Sequence, residues 1–458
     1  MSSQIEFILN NTTIKTDVSS STILLDFIRD SKLKGTKIGC REGDCGACTV
    51  IVGELRENKI HYQAIPSCLT PIGNIQGKQV VTVEGLSTEN PTLVQLELIN
   101  SVGTQCGFCS PGFIMSMTAS CLNNTNPEEA LDGNICRCTG YFPIISAAKR
   151  VFARLKNLNE ARIIDELIDL NVIPEYFKGI QARLRSLNHY PSSPDSKKII
   201  GGGTDLYVQN PHQMKKLELN HISLRSDLRF ITQSGDVIKI GPGTTMSDMI
   251  ESPIITKIVP SKQIKLIAST PIRNLATIGG NIINASPIAD FVIILLVLDA
   301  KLKLREETDR LLQLDQFYMG YKDLNKTEDE YISEINIPVI DNLQFNFEKV
   351  SKRRYLDIAS VNSGCAILLE NSIIKHIRLS AGGVFAYPLY LKETSESLFG
   401  KPITSEIVKG AVKIAMKEIA PISDIRGSKE YKALLLRQLL ISHFMRFNPE
   451  LSIKEVIE

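Results

Sequence analysis

Eight of the chain's ten cysteines fall into two quartets, and these quartets restrict the fold more than any other feature. In one, Cys106-Gly107-Phe108-Cys109 and Cys136-Arg137-Cys138 form two close pairs. A two-residue gap wraps the backbone round a metal. A one-residue gap points alternate side chains the same way. Each pair therefore brings two sulfurs to a single centre. The stretch between them reads as helix: Ser110-Pro111 is an N-cap followed by proline at the first helical position, and Gly112 to Leu122 carries the run. Asn126-Pro127-Glu128-Glu129 starts a second short helix ending at Gly133, and Tyr141-Phe142-Pro143 leads into a third, through about Leu155. The site then lies in the loops of a small helical bundle. Cys109 stands just before a helix N-terminus, whose dipole favours a thiolate. Zinc is the bland alternative for this quartet alone.

The other quartet, Cys40, Cys45, Cys48 and Cys68, has the spacing C-x4-C-x2-C…C of plant-type [2Fe–2S] sites. Gly39, Gly43 and Gly46 let backbone amides fold over the sulfurs where a Cβ would obstruct them. A zinc knob is the competing reading here too, although zinc pairs seldom use this run. Two redox centres in neighbouring domains make an electron path. Cys121 on an apolar helix and Cys365 in an apolar strand read as inert buried thiols.

Around the quartet Cys40 to Cys68, the first in chain order, Ile5, Phe7 and Leu9 alternate, Asn10-Asn11 turns, and Ile14 to Val18 returns as a hairpin. A helix from Ile23 to about Leu33 and strands at Thr49 to Val52 and Val80 to Val83 complete a ferredoxin-like β-grasp sheet. The chain of 458 residues has room for about three domains by length alone. The local patterns divide it further: a ferredoxin-like [2Fe–2S] domain at 1–85, a helical-bundle [2Fe–2S] domain at 86–158 and a connector at 159–197. A two-part α/β domain at 198–344 and a C-terminal α+β domain with an amphipathic helix from Glu430 to Phe447 at 345–458 follow. The fold class is α+β multidomain.

A net charge of +2 gives no bias toward nucleic acid or an anionic membrane. The longest apolar run, Phe291 to Leu298, is too short to span a bilayer. No signal pattern opens the chain, so the expected location is cytoplasmic, where cysteines serve metal sites more than disulfides. The histidines are scattered, and no Ser-His-Asp or Cys-His arrangement can be argued. The expected chemistry is electron transfer, with no catalytic acid, base or nucleophile.

Two glycine turns carry the remaining signal. Gly201-Gly202-Gly203-Thr204-Asp205-Leu206 follows a strand, and successive amides in such a turn form an anion nest suited to a pyrophosphate. A tight turn without ligand is the bland reading. The turn lacks the G-x4-G-K-[ST] pattern, and Gly241-Pro242-Gly243 does not complete a dinucleotide fingerprint. The second turn, Thr277-Ile278-Gly279-Gly280-Asn281, leads to Ser286-Pro287, read as the cap of the helix Phe291 to Leu298. Asp290 in its first turn either complements the helix dipole or accepts hydrogen bonds from cofactor hydroxyls.

Together these residues resemble the molybdenum hydroxylases, the xanthine dehydrogenase and aldehyde oxidase family. Gln105 to Gly112 and Asn134 to Tyr141 are similar to its helical cluster domain nearly word for word. Gly202 to Leu206 and Thr277 to Asp290 resemble the two FAD-binding segments of its molybdopterin-dehydrogenase (PCMH) type flavin domain. Ser380 to Gly383 and Asp424 to Ser428 resemble its flavoprotein C-terminal part. The resemblance implies two [2Fe–2S] clusters and FAD, with NAD as acceptor. It also implies molybdopterin in a separate large subunit, and a dimer of such heterodimers. The domain order is closest to the small subunits of bacterial xanthine dehydrogenases. In the family the glutamine matching Gln105 hydrogen-bonds the pterin, and the counterpart of Cys138 faces it. Two alternatives stand beside this: the same subunit type in another aldehyde or N-heterocycle hydroxylase, and a stand-alone flavin–iron–sulfur reductase. The chain departs from the eukaryotic pattern at Val384-Phe385-Ala386-Tyr387, where an acid follows the late Gly-Gly segment in those relatives. No insertion with an extra cysteine set appears, unlike the reductase branch with a third cluster.

Overall fold

A computed structural model describes residues 4–457, apart from Thr88, Asn157, 188–197 and Lys216. It divides into two compact units: Met1–Arg225 with Ser269–Ala276, and Ser226–Ala268 with Thr277–Glu458. Among the described residues no helix is long and apolar enough to cross a membrane.

The first unit is built on a five-stranded mixed sheet. Its order is Thr12–Thr16, Ile5–Leu9, Gln79–Val81, Thr49–Arg56, Lys59–Pro66. The expected hairpin forms, with Ile5 opposite Thr16, and Ile5–Leu9 also pairs in parallel with Gln79–Val81. Alternation predicts one buried face for Ile5–Leu9, yet all five residues are buried. Phe7 and Leu9 pack with Leu24 and Ile28 of the helix Leu24–Asp30. Ile8, on the opposite face, packs with Ile180, Leu184 and Leu187. The stretch expected as a connector thus carries two short helices, Ile163–Asp169 and Ile180–Ser186. The second of these covers the far side of the sheet. Leu167, Val172, Ile173 and Phe177 join the core of the helical domain. The mixed charge that suggests a linker belongs to the outer faces of these helices. The Pro191 to Asp195 part of that expectation lies outside the described residues.

The helical part holds Leu93–Asn100, Ser110–Leu122 and Phe142–Arg154. A capping box of Thr92 and Gln95 starts the first. Ser110–Leu122 is buried from Gly112 onward, because it lies between its sister helices and the sheet residues Ile51, Tyr62 and Ala64. Its N-cap is Cys109, one residue before the expected Ser110. The short helix expected after Asn126 is a 3-10 turn, Glu129–Gly133. The expected strand at Val80 to Val83 ends at Val81, and Val83–Leu86 turns into helix.

In the second unit an antiparallel five-stranded sheet runs in the order Asp309–Gln313, Lys301–Arg305, Tyr331–Pro338, Val237–Ile240, Ile231–Ser234. A second antiparallel sheet is formed by Gln344–Val350, Val361–Glu370, Ile373–Gly382 and Leu389–Tyr390. Val361, Cys365, Ile367 and Leu379 face the helices Ser405–Glu418 and Lys429–Phe447. The opposite face takes the wholly buried helix Asp290–Val297. There Ser380 Oγ donates to the carbonyl of Ile293 at 2.8 Å. A Cβ at Gly364 would stand 3.2 Å from that same oxygen, so glycine sets how closely helix and strand approach.

Candidate redox-cofactor sites

The sulfurs of the first quartet come together two by two. Cys40 pairs with Cys45, and Cys48 pairs with Cys68. The Cys45 thiol and then the amides around it hold Cys40 down at about 5. Glu42 N–H donates to its sulfur at 3.3 Å and Cys45 N–H at 3.4 Å. Cys45 is pushed up by its bond to Cys40 and by burial. Cys48 is held down by the Cys68 thiol, and Cys68 is pushed up by the same contact and by burial. The glycines have distinct roles. A Cβ at Gly39 would lie 2.6 Å from the Cys45 sulfur. Gly46, at φ +66°, would place one 2.2 Å from the carbonyl oxygen of Gly133. The loop of the first quartet is thereby pressed against the segment before Cys136. Asn134 Nδ2 donates to the Gly46 carbonyl at 3.1 Å, and Ile135 N–H donates to the Cys45 carbonyl at 3.0 Å.

The second quartet pairs in the same way, Cys106 with Cys138 and Cys109 with Cys136. Against the push of burial, Cys136 is held below the usual thiol range by the hydroxyl and amide of Thr139. Both reach its sulfur, at 3.2 and 3.4 Å. Cys109 is pushed up to about 12 by burial and by the Cys136 thiol. Tyr141 adopts φ +70°, rare for a bulky residue. Its phenol oxygen accepts the Cys136 amide hydrogen at 3.1 Å, which fixes the end of the loop. In the sequence Thr139 is visible only as part of the motif Asn134 to Tyr141, and Tyr141 only as the lead into a helix.

Two sulfurs per pair and two pairs per quartet fit a cluster in which each of two irons takes two thiolates. Cys121 and Cys365 stand apart, fully buried.

The two glycine turns differ in kind. The first lies in the first unit. Among the described residues no acceptor takes the amide hydrogens of Gly202, Gly203 or Thr204. Gly203 sits at φ +84°, and a Cβ at Gly202 would lie 2.0 Å from the Leu275 carbonyl oxygen. Open amides in a turn that only glycine can make are what an anion nest needs. The second turn lies in the second unit, and its amides are spent. Those of Ile278 and Gly279 go to the Thr244 and Pro242 carbonyls, and those of Gly280 and Asn281 to the Thr277 hydroxyl and carbonyl. What it offers is an exposed Gly280, where a Cβ would meet only Thr277 Oγ1 at 2.9 Å, and a buried Asn281 Oδ1 without partner among the described residues.

Four family models match in succession: a 2Fe-2S iron-sulfur cluster binding domain over 7–73, and a [2Fe-2S] binding domain over 82–149. Then come the FAD binding domain in molybdopterin dehydrogenase over 172–340 and the CO dehydrogenase flavoprotein C-terminal domain over 347–447. Xanthine dehydrogenase 1 of Arabidopsis thaliana is 29% identical over 93% of this chain. Aldehyde oxidase 1 of Bos taurus is 26% identical over 95% of it. A chain of carbon monoxide dehydrogenase from Hydrogenophaga pseudoflava superposes with a TM-score of 0.50 at 28% identity, covering 54% of this chain and 88% of its own. The chain belongs to the molybdenum hydroxylase family. It spans 38% of the length of each of the two curated relatives named.

The family's FAD-binding domain thus contains both glycine turns, and the remaining expected residues fall as follows. Ser286 does not cap the long helix; its Oγ accepts from Ile288 N–H at 3.4 Å, and the N-cap is Ala289. Pro287 and Ile288 form a turn closed by the Ala289 N–H donating to the Ser286 carbonyl at 3.0 Å, which delays the helix to Asp290. Asp290 is buried, with one oxygen 2.7 Å from Lys349 Nζ and the other accepting from Asn362 Nδ2. Both of its oxygens already accept within the protein, so Asp290 is first of all an anchor. Gln105 is exposed beside Cys106.

Gly280 supplies a direct test of flavin placement. Gly280→Val should fold, since the position opens to solvent, the added Cβ would meet only Thr277 Oγ1, and valine is a better helix former than the glycine it replaces. It should remove the flavin bands from the visible spectrum and leave the iron–sulfur bands. Retained FAD would show that the second turn does not face the flavin.

Proposed function

We propose that this chain is the electron-transfer subunit of a molybdenum-dependent purine hydroxylase of the xanthine dehydrogenase type. In this reading Cys40, Cys45, Cys48 and Cys68 hold one [2Fe–2S] cluster, and Cys106, Cys109, Cys136 and Cys138 hold the other. Gly201–Leu206 and the segment Thr277–Asp290 serve FAD. When bound, these groups carry electrons from a substrate-oxidising molybdenum site on a large chain to NAD. The residues present set that chemistry up. Amides at Cys40 and the Thr139 hydroxyl at Cys136 stabilise thiolates. The burial of Cys48 and Cys68 keeps water from the inner pair.

The observation that carries the reading is the face of the second quartet. Cys106 and Cys138 are exposed, and exposed apolar side chains crowd the segments that bear them. Phe142 is 80% and Val102 69% accessible, with Phe108, Ile99 and Ile135 also exposed. Exposed apolar residues in the segments that carry an open redox ligand suit an interaction surface. A partner seated there would dry the cluster and receive Gln105 and Cys138. The xanthine dehydrogenase relative supports the purine substrate. The aldehyde oxidase relative supports the alternative, the same subunit in an aldehyde or N-heterocycle hydroxylase. A dimer of such heterodimers follows from the prevalence of two-fold symmetry.

The test is reconstitution. Alone, the chain should pass electrons from NADH to an artificial dye and show no activity with xanthine. Adding a molybdopterin-bearing large chain should restore xanthine-dependent NAD reduction. Gln105→Ala should slow that reaction about tenfold and spare the NADH–dye reaction, because the residue touches only the partner side. Xanthine oxidation by the isolated chain, or an effect of the substitution confined to the NADH side, would reverse the assigned direction of flow.

A further inference from the structure

We infer that Asn74 and His221 are positioning residues for the first glycine turn, and that they set how tightly the chain holds its flavin. The inference rests on the reading of Gly202–Thr204 as the phosphate nest. Asn74 lies in the 3-10 turn Ile72–Ile75 of the ferredoxin-like domain. Its Nδ2 donates to the carbonyl of Gly201 at 3.1 Å. Its Oδ1 lies 2.7 Å from His221 Nδ1. His221 ends the strand Leu219–His221 and stands opposite Ile200, immediately before the turn. Both side chains are buried, at 3% and 5% accessibility. Gly73 makes room for the ring: a Cβ there would lie 2.3 Å from His221 Nε2.

The bonds fix one another. The amide of Asn74 must present nitrogen to a carbonyl, so its oxygen faces the imidazole. The imidazole must therefore carry its hydrogen on Nδ1. Burial holds His221 down at about 4, so the ring is neutral near pH 7 and has one hydrogen to give. That hydrogen goes to Asn74.

The consequence reaches the nest through one peptide plane. In a trans peptide the carbonyl of one residue and the N–H of the next point in opposite directions. Tying the Gly201 oxygen to Asn74 aims the Gly202 N–H away from the ferredoxin-like domain. A run of three glycines is free to flip that plane, because no Cβ resists either orientation. An unpinned turn would present its amides to an anion only part of the time, and apparent affinity falls with the fraction of competent turns. Asn74 supplies the pin, and His221 keeps Asn74 in the right flip.

The experiment uses the full chain with its clusters, stripped of flavin and titrated with FAD. Asn74→Asp keeps the shape and the acceptor for His221 but sets a carboxylate oxygen against the Gly201 oxygen. It should raise the FAD dissociation constant at least about tenfold while iron content and iron–sulfur bands stay unchanged. His221→Leu should weaken FAD similarly. His221→Gln, which keeps an N–H for Asn74, should recover most of the affinity. An unchanged dissociation constant in Asn74→Asp overturns the inference. If that variant does not fold, equal affinities in His221→Leu and His221→Gln overturn it instead. Gly280→Val separates the two levels: flavin lost there but untouched in Asn74→Asp defeats only the pin. Flavin untouched in both defeats the placement of FAD.

Discussion

Cys68→Ala and Cys138→Ala should each halve the iron and labile sulfide of the chain, yet differ sharply in stability. Cys68 is 3% accessible and sits in a core with Cys48, Leu25, Leu69, Ile200 and Tyr207. Removing its sulfur opens a void there, with a cost of about 1–3 kcal/mol before any cluster is considered. The cluster's binding free energy is folding free energy as well, because the unfolded chain cannot hold it. Cys138 is exposed, and its loop is fixed by neighbours that do not need it. These are Thr139 on Cys136 and the Tyr141 oxygen on the Cys136 amide. Calorimetry should therefore show a drop of several degrees for Cys68→Ala and a small one for Cys138→Ala. EPR after reduction should show two spin systems in the parent chain and one in each variant, a different one each time. Stoichiometric zinc in place of iron in either quartet would defeat the assignment of that quartet.

How much of this was legible in the sequence depends on the range over which each feature is encoded. The cysteine spacings are local, and eight sulfurs read as two quartets prove to lie as pairs in space. The hairpin Ile5–Leu9 with Thr12–Thr16 is equally local. The helix Ile180–Ser186 was hidden because its apolar residues, Ile180 and Leu184, make only one turn among charges. Its reason to fold is Ile8, more than 170 positions away. Polar contacts across long separations leave no periodic trace at all. Asn134 on Gly46, Asn74 on Gly201, and the buried pair of Asp132 with Arg273 at 2.7 Å are of this kind. The two glycine turns look alike as strings. Only the location of acceptors separates a nest with open amides from a helix start whose amides are used. A single fact in the sequence foreshadows that difference: Thr277 stands three residues before Gly280, the spacing of an N-cap threonine and the amide it accepts.

Asp290 is where a functional and a structural reading of one residue make opposite forecasts. Its partner Lys349 is 3% accessible, and Asp290 itself is 8%. Lys349 Nζ also donates to the Leu266 carbonyl at 3.0 Å, and Asn362 Nδ2 completes the cluster from the strand Val361–Glu370. The pair joins the start of helix Asp290–Val297 to the sheet beneath it. Asp290→Ala would leave an ammonium buried without its counter-charge, a loss of about 3–5 kcal/mol. Flavin-free protein should show that loss in full, as a much lower denaturation midpoint. Removing both charges with Asp290→Leu and Lys349→Met should recover most of it, since a buried ion pair exchanged for apolar side chains is often near neutral. A residue that only met cofactor hydroxyls would behave otherwise. Asp290→Ala would then denature like the parent when flavin is absent, and the difference would emerge only as FAD is added. The geometry favours the first outcome, because both carboxylate oxygens already accept within the protein.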